Sequence, residues 1–584
     1  MNDDGLIRTE YDVTELLVSI RSEAGPLAVD TETTGLHPYR GDVIRGISVA
    51  GETWSAYLPI THPDTLNFHG APLCRALLDH GRLVFHHGVF DYAFLAQVAG
   101  LGIRYADVTI WDTQVGNWLI DENLKKGLKE SADRILGHDS SAEKAALKAL
   151  TKETKRTWDT FTGEDIAKYA AMDARLTYDL YAWQHAQADY DFHTAMMREL
   201  AVQRAIFEMN RTGIGVDRDK LHEFELVAME RINEIEESLP INLKSPKQVG
   251  EWLFGELGYE AKILTATGKP STSKQALQDL AHESQEASLL LEHRTLTKEV
   301  SAYYRPLIVA SGPGTTGIGT VNPHFSSTRT VTGRLSCSDP NLQTIPRADV
   351  MGGVRECFVP REGNELWAFD LSQAELRVIA GYCKEDAMID ALENGRDLHS
   401  ETALSIFGPD FTPLQRRFAK NLNFGFPYGI GPHKFATYIH PVPTERHVRE
   451  AAEILAGYRR TYPNIVRTME KLDKIACKQG YLPLGWSGRR RHFRGPGYIV
   501  PGYTGLNAIV QGGIGEFMKD VMIHPALADQ CRGYGSRLVL QIHDELVFEV
   551  LPGTVGSLKV CLDGIAKDLD PFYMKMIWDR KQWT

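Results

Sequence analysis

Two short apolar runs near the end of the chain, 538–542 and 546–550, flank the polar triplet His543-Asp544-Glu545. Branched apolar runs separated by a short polar break are typical of a β-hairpin in a buried sheet. Two adjacent carboxylates at the tip of such a hairpin cost free energy unless a cation pairs with them. A solvated acidic turn is the alternative, because exposed carboxylates are the rule. The hairpin therefore predicts a cation site if another part of the chain supplies a partner.

A second strand-like run, 366–369, supplies that partner because it ends on Asp370. A helix-like pattern begins close behind it, near Gln373. Asp370 is therefore expected at a strand end, where the hairpin can present Asp544 beside it. Two carboxylates that converge on divalent cations are what phosphoryl transfer requires.

These two stretches resemble the metal-binding motifs of family A DNA polymerases, and further motifs follow in the family's order along nearly the whole chain. The resemblance implies that Asp370 and Asp544 hold two Mg²⁺ ions, with Mn²⁺ as a substitute. It also implies that Glu545 supports the site and that His543 lies near the primer end. One ion would lower the pKa of the primer 3′-hydroxyl, and the other would steady the leaving pyrophosphate.

A second set of acidic residues lies in the first third of the chain. Asp30 and Glu32 share one face of a predicted strand, and Tyr169 and Asp173 share one face of a predicted helix. Together with Asp91, which follows an apolar run, they are enough to hold two divalent ions and orient a water. Taken alone, a D-x-E pair is more often a surface strand. The set resembles proofreading 3′–5′ exonucleases, which implies a ribonuclease H-like α/β domain; His87 departs from the family's usual Asn.

The family resemblance implies further binding residues in the second part of the chain. The nucleotide-binding residues are Arg355, Gln373, Glu375, His399, Arg416, Lys420, Phe424 and Tyr428, with Lys420 also catalytic, and the DNA-binding residues are Arg334, Asn507, Gln511, His543, Arg489 and Arg490. Arg416, Lys420, Phe424 and Tyr428 are spaced by four, so one helix can present all of them on one broad face. An ordinary amphipathic helix is the alternative for this spacing.

Three details of these segments bear on the expected contacts. Pro427 precedes Tyr428, and proline usually ends or kinks a helix. Tyr503 stands where the family usually has Arg, so a charged template contact is replaced by stacking or a hydroxyl bond, or is lost. The basic run 489–491, with Arg494, suits backbone phosphate; a solvated loop is the alternative.

The net charge of −12 argues mildly against nucleic-acid binding, but the local distribution of charge decides the field at a groove. Seven scattered cysteines without a C-x-x-C pair indicate a reduced intracellular protein without a zinc site. The sequence has no apolar signal segment and no run long enough to cross a membrane. A cytoplasmic location, in a bacterium or a phage-infected host, is expected.

These observations predict two domains. The expected limits are 1–188 for the exonuclease and 189–584 for a right-hand polymerase, with the thumb at about 236–325, the palm at about 326–385 and 501–584, and the fingers at about 386–500. A separate 5′-nuclease domain is not expected, because little sequence precedes Asp30.

The expected function is DNA-templated extension of a primer with dNTPs, together with proofreading. The expected partners are primer-template DNA, dNTPs and a single-stranded DNA 3′ end; the chain is expected to be a monomer, with room for accessory proteins of replication. Two alternatives stay open. One is a nuclease whose second domain only binds DNA, against which the Asp370, Asp544 and Lys420 set argues. The other is a single-subunit RNA polymerase, against which Glu375 and the exonuclease domain argue.

Overall fold

The computed structural model describes residues 5–63, 66–100, 105–265, 267–346, 353–440, 443–484, 487–493, 502–569 and 576–583. Arg494, at the end of the predicted basic run, lies outside these residues. In the described ranges, no helix is long and apolar enough to cross a membrane.

The first part of the chain alternates strands and helices. Its elements are α1 (Glu10–Ser22), β1 (Leu27–Thr33), β2 (Ile44–Ala50), β3 (Ser55–Pro59), α2 (Ala71–His80), β4 (Leu83–Phe85), α3 (Gly88–Ala99), α4 (Tyr105–Val108), β5 (Thr109–Asp112), α5 (Thr113–Ile120), α6 (Leu128–Leu136), α7 (Ser140–Thr154) and α8 (Gly163–Gln187). The five strands form one sheet in the order β3-β2-β1-β4-β5. Strand β1 pairs antiparallel with β2 and parallel with β4, and α8 packs on β1, β2 and β3. This arrangement confirms the predicted α/β fold.

Helix α8 carries two of the predicted site residues, and its start is defined locally. The Thr162 hydroxyl accepts a hydrogen bond from the Asp165 N–H at 3.2 Å, while the Asp165 carboxylate accepts one from the Thr162 N–H at 2.8 Å. Such a reciprocal capping box satisfies backbone donors that the first helical turn leaves unpaired. The small buried residues Ala170 and Ala174 let the helix approach the sheet closely. Tyr169 and Asp173 are thereby placed beside β1.

The rest of the described chain is mostly helical, with a three-stranded sheet, two pairs of strands and, near its end, a four-stranded sheet that is called the second sheet below. Its elements are α9 (Tyr190–Thr212), β6 (Ile214–Asp217), α10 (Arg218–Ser238), α11 (Pro246–Gly250), α12 (Lys274–Leu280), α13 (Gln285–Glu299), α14 (Arg305–Ala310), β7 (Ile318–Val321), β8 (His324–Ser326), β9 (Ser336–Ser338), β10 (Phe358–Val359), β11 (Glu365–Leu371), α15 (Ala374–Cys383), α16 (Asp386–Glu393), α17 (Leu398–Phe407), α18 (Pro413–Gly425), α19 (Pro432–Ile439), α20 (Glu445–Thr461), α21 (Pro463–Gln479), β12 (Tyr481–Pro483), β13 (Arg490–His492), α22 (Gly502–Ile523), α23 (Pro525–Tyr534), β14 (Arg537–Ile542), β15 (Glu545–Val550), α24 (Val555–Leu569) and β16 (Trp578–Gln582).

The second sheet has the strand order β14-β15-β11-β16, and every neighbouring pair is antiparallel. Strands β14 and β15 form the predicted hairpin, which turns through His543 and Asp544 between the paired residues Ile542 and Glu545. His543 has a φ of 57°, a left-handed conformation that a tight two-residue turn requires. All six residues of β15 are buried; one face carries Leu546, Phe548 and Val550, and the other carries Val547 between Glu545 and Glu549.

A buried network of charges joins α9 to α22. The Lys519 ammonium lies 2.6 Å from Glu199, and the Arg198 guanidinium lies 2.6 Å from Asp520 and also contacts Glu516. Burial alone would raise the pKa of Glu516, but the positive charges of Lys519, Arg198 and Arg489 lower it to about 2. Because buried charges are tolerated only when they are paired, this network fixes how the two helices cross.

Replacement of Glu516 should therefore destabilise the fold. We expect Glu516→Gln to lower the free energy of unfolding by about 3 to 5 kcal/mol at neutral pH, because it leaves buried cations uncompensated. The folded pKa of about 2 lies below the ordinary value of 4.5, so this contribution is complete above pH 4.5 and is lost as the pH falls towards 2. Urea unfolding at several pH values measures both effects, with exposed Glu237→Gln as the control. An equal loss for the two variants would contradict the expectation.

Candidate functional sites

Asp370 and Asp544 lie on neighbouring segments at the end of the second sheet. The N–H of Leu371 donates a hydrogen bond to the backbone carbonyl oxygen of Asp544 at 3.1 Å, which joins the two segments next to both carboxylates. Burial raises the pKa of Asp544, and the positive charge of Arg334 opposes this shift. Carboxylates on adjacent strand ends supply the hard oxygen donors that Mg²⁺ prefers, so the residues present fit a divalent metal site.

Glu545 lies directly opposite Asp370 in the register of β15 and β11, and Asp579 lies opposite Asp370 on β16. The Lys581 ammonium lies 2.6 Å from the buried carboxylate of Glu545. This ion pair balances one of the negative charges at the sheet end. The sequence analysis missed Lys581, because no local pattern indicates which carboxylate a lysine at the end of the chain will meet.

A group of polar side chains from three distant segments lies beside Asp544. Arg334 and Glu375, which is in the first turn of α15, form an ion pair of 3.3 Å. Burial and the negative charge of Glu375 raise the pKa of Tyr428. Gln373 precedes α15 with a left-handed φ of 53° and is exposed. The structure therefore brings Arg334, Glu375 and Tyr428 together, and their roles near the primer end and the nucleotide stay predictions.

Helix α18 presents a mixed cationic and aromatic face towards α17. The rings of Phe424 and His399 lie 5.7 Å apart, and the Arg416 guanidinium lies 2.6 Å from Asp397, the N-cap of α17. Burial lowers the pKa of His399, and the positive charge of Lys420 acts in the same direction. Lys420 is exposed, and Phe424 is 37% exposed. The predicted spacing thus gathers Arg416, Lys420 and Phe424 on one side of the helix.

Tyr428 is not part of that helix. Helix α18 ends at Gly425, and Phe426–Tyr428 forms a 3-10 turn that contains Pro427. Proline removes a backbone donor and fixes φ, which explains why the α-helix stops. The proposed single helical face therefore stops at Phe424, and tertiary packing brings Tyr428 to Glu375.

Helix α22 carries the predicted template contacts Asn507 and Gln511. The Oδ1 atom of Asn507 is buried and has no hydrogen-bond partner within the described chain. The Tyr503 ring packs over Gly429, where an added Cβ would lie 2.4 Å from a ring carbon. The tyrosine thus stacks on the backbone that follows the 3-10 turn, whereas the family's arginine would carry a charge there.

Three predicted binding arginines are placed differently from the expectation. Arg489 is buried, 3.0 Å from Glu516 and over the Trp118 ring, so its guanidinium is enclosed by the chain instead of being exposed as a phosphate contact requires. Arg490 pairs with Asp189 at 2.7 Å. Arg355 is also buried, 4.1 Å over the Trp583 ring, and is therefore not exposed to a nucleotide. In each case the guanidinium is engaged within the chain.

The first sheet carries the second group of carboxylates. Oxygen atoms of Asp30, Glu32 and Asp173 all lie within 4.8 Å of one another, which confirms that the strand and helix faces converge. Asp91 lies close enough for its charge to act on Asp30 and Glu32, and its Oδ1 atom accepts hydrogen bonds from the Thr31 N–H at 3.1 Å and the Thr31 hydroxyl at 2.7 Å. The three clustered carboxylates fit a site for divalent cations.

Burial dominates the electrostatics of this group. It raises the pKa of Glu32 to about 8, of Asp91 to about 7 and of Asp173 to about 6, and it raises that of Asp30 well above its usual range. Neighbouring carboxylates add to these shifts. Closely spaced acids in a buried site need cations before they can all ionise, which is a property of metal-dependent active sites.

Lys129 and His87 are two further features of this domain. Lys129 contacts Asp173 and lies 4.4 Å over the Tyr169 ring. His87 has a φ of 77° and stacks on Phe90, with ring centroids 6.4 Å apart. Burial lowers the pKa of His87 to about 4, so this departure from the family pattern brings a neutral ring.

Comparison with known proteins identifies both parts of the chain. The profile of DNA polymerase family A matches residues 218–570, and a 3′-5′ exonuclease profile matches residues 6–183. The chain therefore belongs to DNA polymerase family A. This finding confirms the resemblance and the order of an exonuclease domain followed by a polymerase domain.

Individual relatives agree with this assignment. DNA polymerase I of Pseudomonas aeruginosa is 32% identical over 90% of this chain and 60% of its own length. The thermostable DNA polymerase I of Thermus caldophilus is 35% identical over 60% of this chain and 43% of its own length. The POL domain of Pol1 from M. smegmatis, in complex with DNA primer-template and dNTP, aligns with a TM-score of 0.80 at 25% identity over 99% of both chains. The chain spans about 60% of the length of the curated relatives that align with most of it.

The raised pKa of Glu32 predicts a cost in stability when metal is absent. Its folded pKa of about 8 exceeds the ordinary value of 4.5, so the protein loses stability as the pH rises from 4.5 to 8. At neutral pH without divalent ions, we expect Glu32→Gln to raise the free energy of unfolding by about 1 to 3 kcal/mol. Excess Mg²⁺ should remove this advantage. Urea unfolding in EDTA and in excess Mg²⁺ measures the free energy of unfolding under each condition, with exposed Glu52→Gln as the control variant. An unchanged free energy of unfolding for Glu32→Gln in EDTA would contradict the prediction.

Proposed function

We propose that this chain is a DNA-templated DNA polymerase with a 3′–5′ proofreading exonuclease. The observation that carries the proposal is the adjacency of Asp370 and Asp544, which lie at the end of the second sheet beside Arg334 and Glu375. Family membership supports it. The proposed limits are 1–188 for the exonuclease and 189–584 for the polymerase; the thumb covers about 236–325, the palm about 326–385 and 501–584, and the fingers about 386–500.

The polymerase site works by positioning and charge. Asp370 and Asp544 hold two divalent ions, with Mg²⁺ as the proposed ion, and these ions when bound activate the primer hydroxyl and neutralise the triphosphate. Lys420 and Arg416 meet the triphosphate, and Phe424 packs against the sugar. Since Arg416 is paired with Asp397, the nucleotide phosphates replace a carboxylate at that guanidinium. Glu545 supports the site from its pair with Lys581.

Other side chains contact the primer terminus, the template and the nucleotide. Arg334 reaches the minor groove, where acceptors are nearly common to all base pairs and a contact tests the shape of the pair. Asn507 and Gln511 contact the template, and His543, exposed at the hairpin tip, lies at the primer end. Gln373 and His399 complete the nucleotide site.

The exonuclease site hydrolyses a single-stranded DNA 3′ end. Asp30, Glu32 and Asp173 hold its divalent ions, which when bound activate a water for attack on the phosphodiester. Asp91 stabilises the strand carrying these ligands through its bonds to Thr31. Tyr169, one turn before Asp173 on α8, orients the water. The proposed setting is a monomer in the cytoplasm of a bacterial cell, where accessory proteins of replication have access to it.

The two activities should be separable, because their carboxylates lie in different sheets. We expect Asp544→Asn to abolish primer extension while primer degradation continues, and Asp30→Ala with Glu32→Ala to do the reverse. Exposed Asp410→Asn is the control for charge. Gel assays with Mg²⁺, with and without dNTPs, measure both activities. Loss of both activities in either variant, with the circular dichroism spectrum unchanged, would rule out two independent sites.

Glu375 should exclude ribonucleotides. It lies five residues after Asp370, in the first turn of α15, and Arg334 pairs with its carboxylate beside Asp544. A 2′-hydroxyl on the incoming sugar would meet this side chain. We expect Glu375→Ala to raise the incorporation of rNMP relative to dNMP by about tenfold or more, which corresponds to ~1.4 kcal/mol in the barrier. An unchanged ratio would remove Glu375 from this role, and efficient use of rNTPs by the wild type would favour an RNA polymerase.

Phe424 should make the enzyme discriminate against dideoxynucleotides. Its partly exposed phenyl ring beside His399 offers no hydrogen-bonding group to the sugar. When the incoming nucleotide lacks its 3′-hydroxyl, the groups that would bond to that hydroxyl stay unpaired. The hydroxyl of a tyrosine in place of Phe424 can take the position of the missing group. We expect Phe424→Tyr to raise ddNTP use by about tenfold or more and to leave dNTP incorporation nearly unchanged. Phe411→Tyr, the same change just before α18, is the control; identical termination ladders would place Phe424 away from the sugar.

A further inference from the structure

The ammonium group of Lys129 occupies the edge of the acidic cluster on the first sheet. It contacts the Asp173 carboxylate and lies 2.5 Å from Glu143 Oε2 and 4.4 Å from the centre of the Tyr169 ring. The side chain is only 12% exposed. An ammonium has three donors and no acceptor, so it can pair with these carboxylates but cannot be a metal ligand.

Glu143 already contacts this ammonium and is itself held in place. It lies in the first turn of α7, whose N-cap is Asp139, and its Oε1 atom pairs with His138 Nε2 at 2.7 Å. Glu143 does not belong to the group of Asp30, Glu32 and Asp173 whose oxygens lie within 4.8 Å. Lys129 therefore has two carboxylate partners, one inside the cluster and one outside it.

The two partners differ in what else they are needed for. Asp173 shares its oxygen cluster with Asp30 and Glu32, so a divalent ion held by these three would meet the same carboxylate that Lys129 contacts. An ammonium and a divalent cation on one carboxylate repel each other strongly at such distances. Contact with Glu143 removes this conflict without returning the ammonium to water.

We propose that Lys129 is a resident counter-ion of the exonuclease site, whose ammonium bridges Asp173 and Glu143 until a divalent cation binds and then leaves Asp173 to pair with Glu143 alone. The inference rests on the proposed function of this cluster as a metal-dependent nuclease site. Lys129 and Glu143 are positioning residues in it, since neither holds the ion. Lys129 lowers the affinity for metal, and Glu143 raises it by accepting the ammonium.

Direct binding of Mn²⁺ tests the proposal. The full chain carries Asp370→Asn and Asp544→Asn, so that the cluster on the first sheet dominates, and electron paramagnetic resonance measures free Mn²⁺. We expect Lys129→Met to lower the dissociation constant by about tenfold, the size expected when one positive charge is removed a few ångströms from a divalent ion. Lys129→Gln is the second variant, in case the first does not fold. Exposed Lys125→Met, the same charge change in the preceding segment, should leave the constant within about twofold.

A double-mutant cycle separates the transfer from simple charge effects. With Lys129 present, Glu143→Gln should raise the dissociation constant for Mn²⁺ by about threefold or more, because the ammonium loses its second partner. In the Lys129→Met background, the same change should have a clearly smaller effect, which reports only the direct charge of Glu143 on the site. An equal loss of affinity in both backgrounds would show that Glu143 acts on the ion itself and would overturn the transfer.

The remaining outcomes distinguish this inference from the proposed function. Equal Mn²⁺ affinity in the wild type, Lys129→Met and Lys129→Gln would overturn the role of Lys129 while leaving the metal site intact. No Mn²⁺ binding in any variant would overturn both the inference and the proposed exonuclease site. Binding that appears only when Lys129 is replaced would show that the ammonium does not yield Asp173 to a cation, and it would overturn the shift to Glu143.

Discussion

The register between β11 and β15 is the constraint on which the polymerase site depends. It sets Asp370 opposite Glu545, and the hydrogen bond from Leu371 to Asp544 closes the pairing at the hairpin turn. A slip of one residue would point Asp370 to the other face of the sheet, because side chains alternate along a strand. Burial of the whole of β15 prevents such a slip, since a shifted strand would expose or clash with apolar side chains. The positions of Arg334 and Glu375 beside Asp544 follow from the same pairing.

The two acidic sites differ in how the negative charge of their carboxylates is compensated. Carboxylates must lie close together to hold divalent ions, yet buried acids repel and lose solvation. At the second sheet, Lys581 pairs with Glu545 and the charge of Arg334 acts on Asp544. Cations of the protein itself therefore compensate part of the negative charge there at all times. At the first sheet, Lys129 is the cation in contact with the cluster, and burial raises the pKa of every acid there. The first site therefore depends more strongly on an incoming cation.

Several arginines that the sequence predicts to bind DNA form ion pairs within the protein. Arg489 pairs with Glu516 inside the network that joins α9 and α22, and Arg490 pairs with Asp189. A planar guanidinium suits such contacts because it donates several hydrogen bonds in a fixed geometry. The partners are acidic, which agrees with a chain of net charge −12 in which many cations are used internally. Exposed cations such as Lys420 remain for a ligand.

The sequence by itself determined the local geometry of this protein. Alternation along β1 placed Asp30 and Glu32 on one face, helical spacing placed Tyr169 beside Asp173, and the apolar runs around His543 specified the hairpin. The end of α18 before Pro427 also follows from the chemistry of a single residue. Only the tertiary structure decided the partners of the cations: that Arg489 and Arg355 are buried, that Lys129 enters the acidic cluster and that Lys581 meets Glu545. Periodicity describes which side chains share a face within one element, whereas the partner of a long cationic side chain depends on which carboxylates distant elements bring within reach.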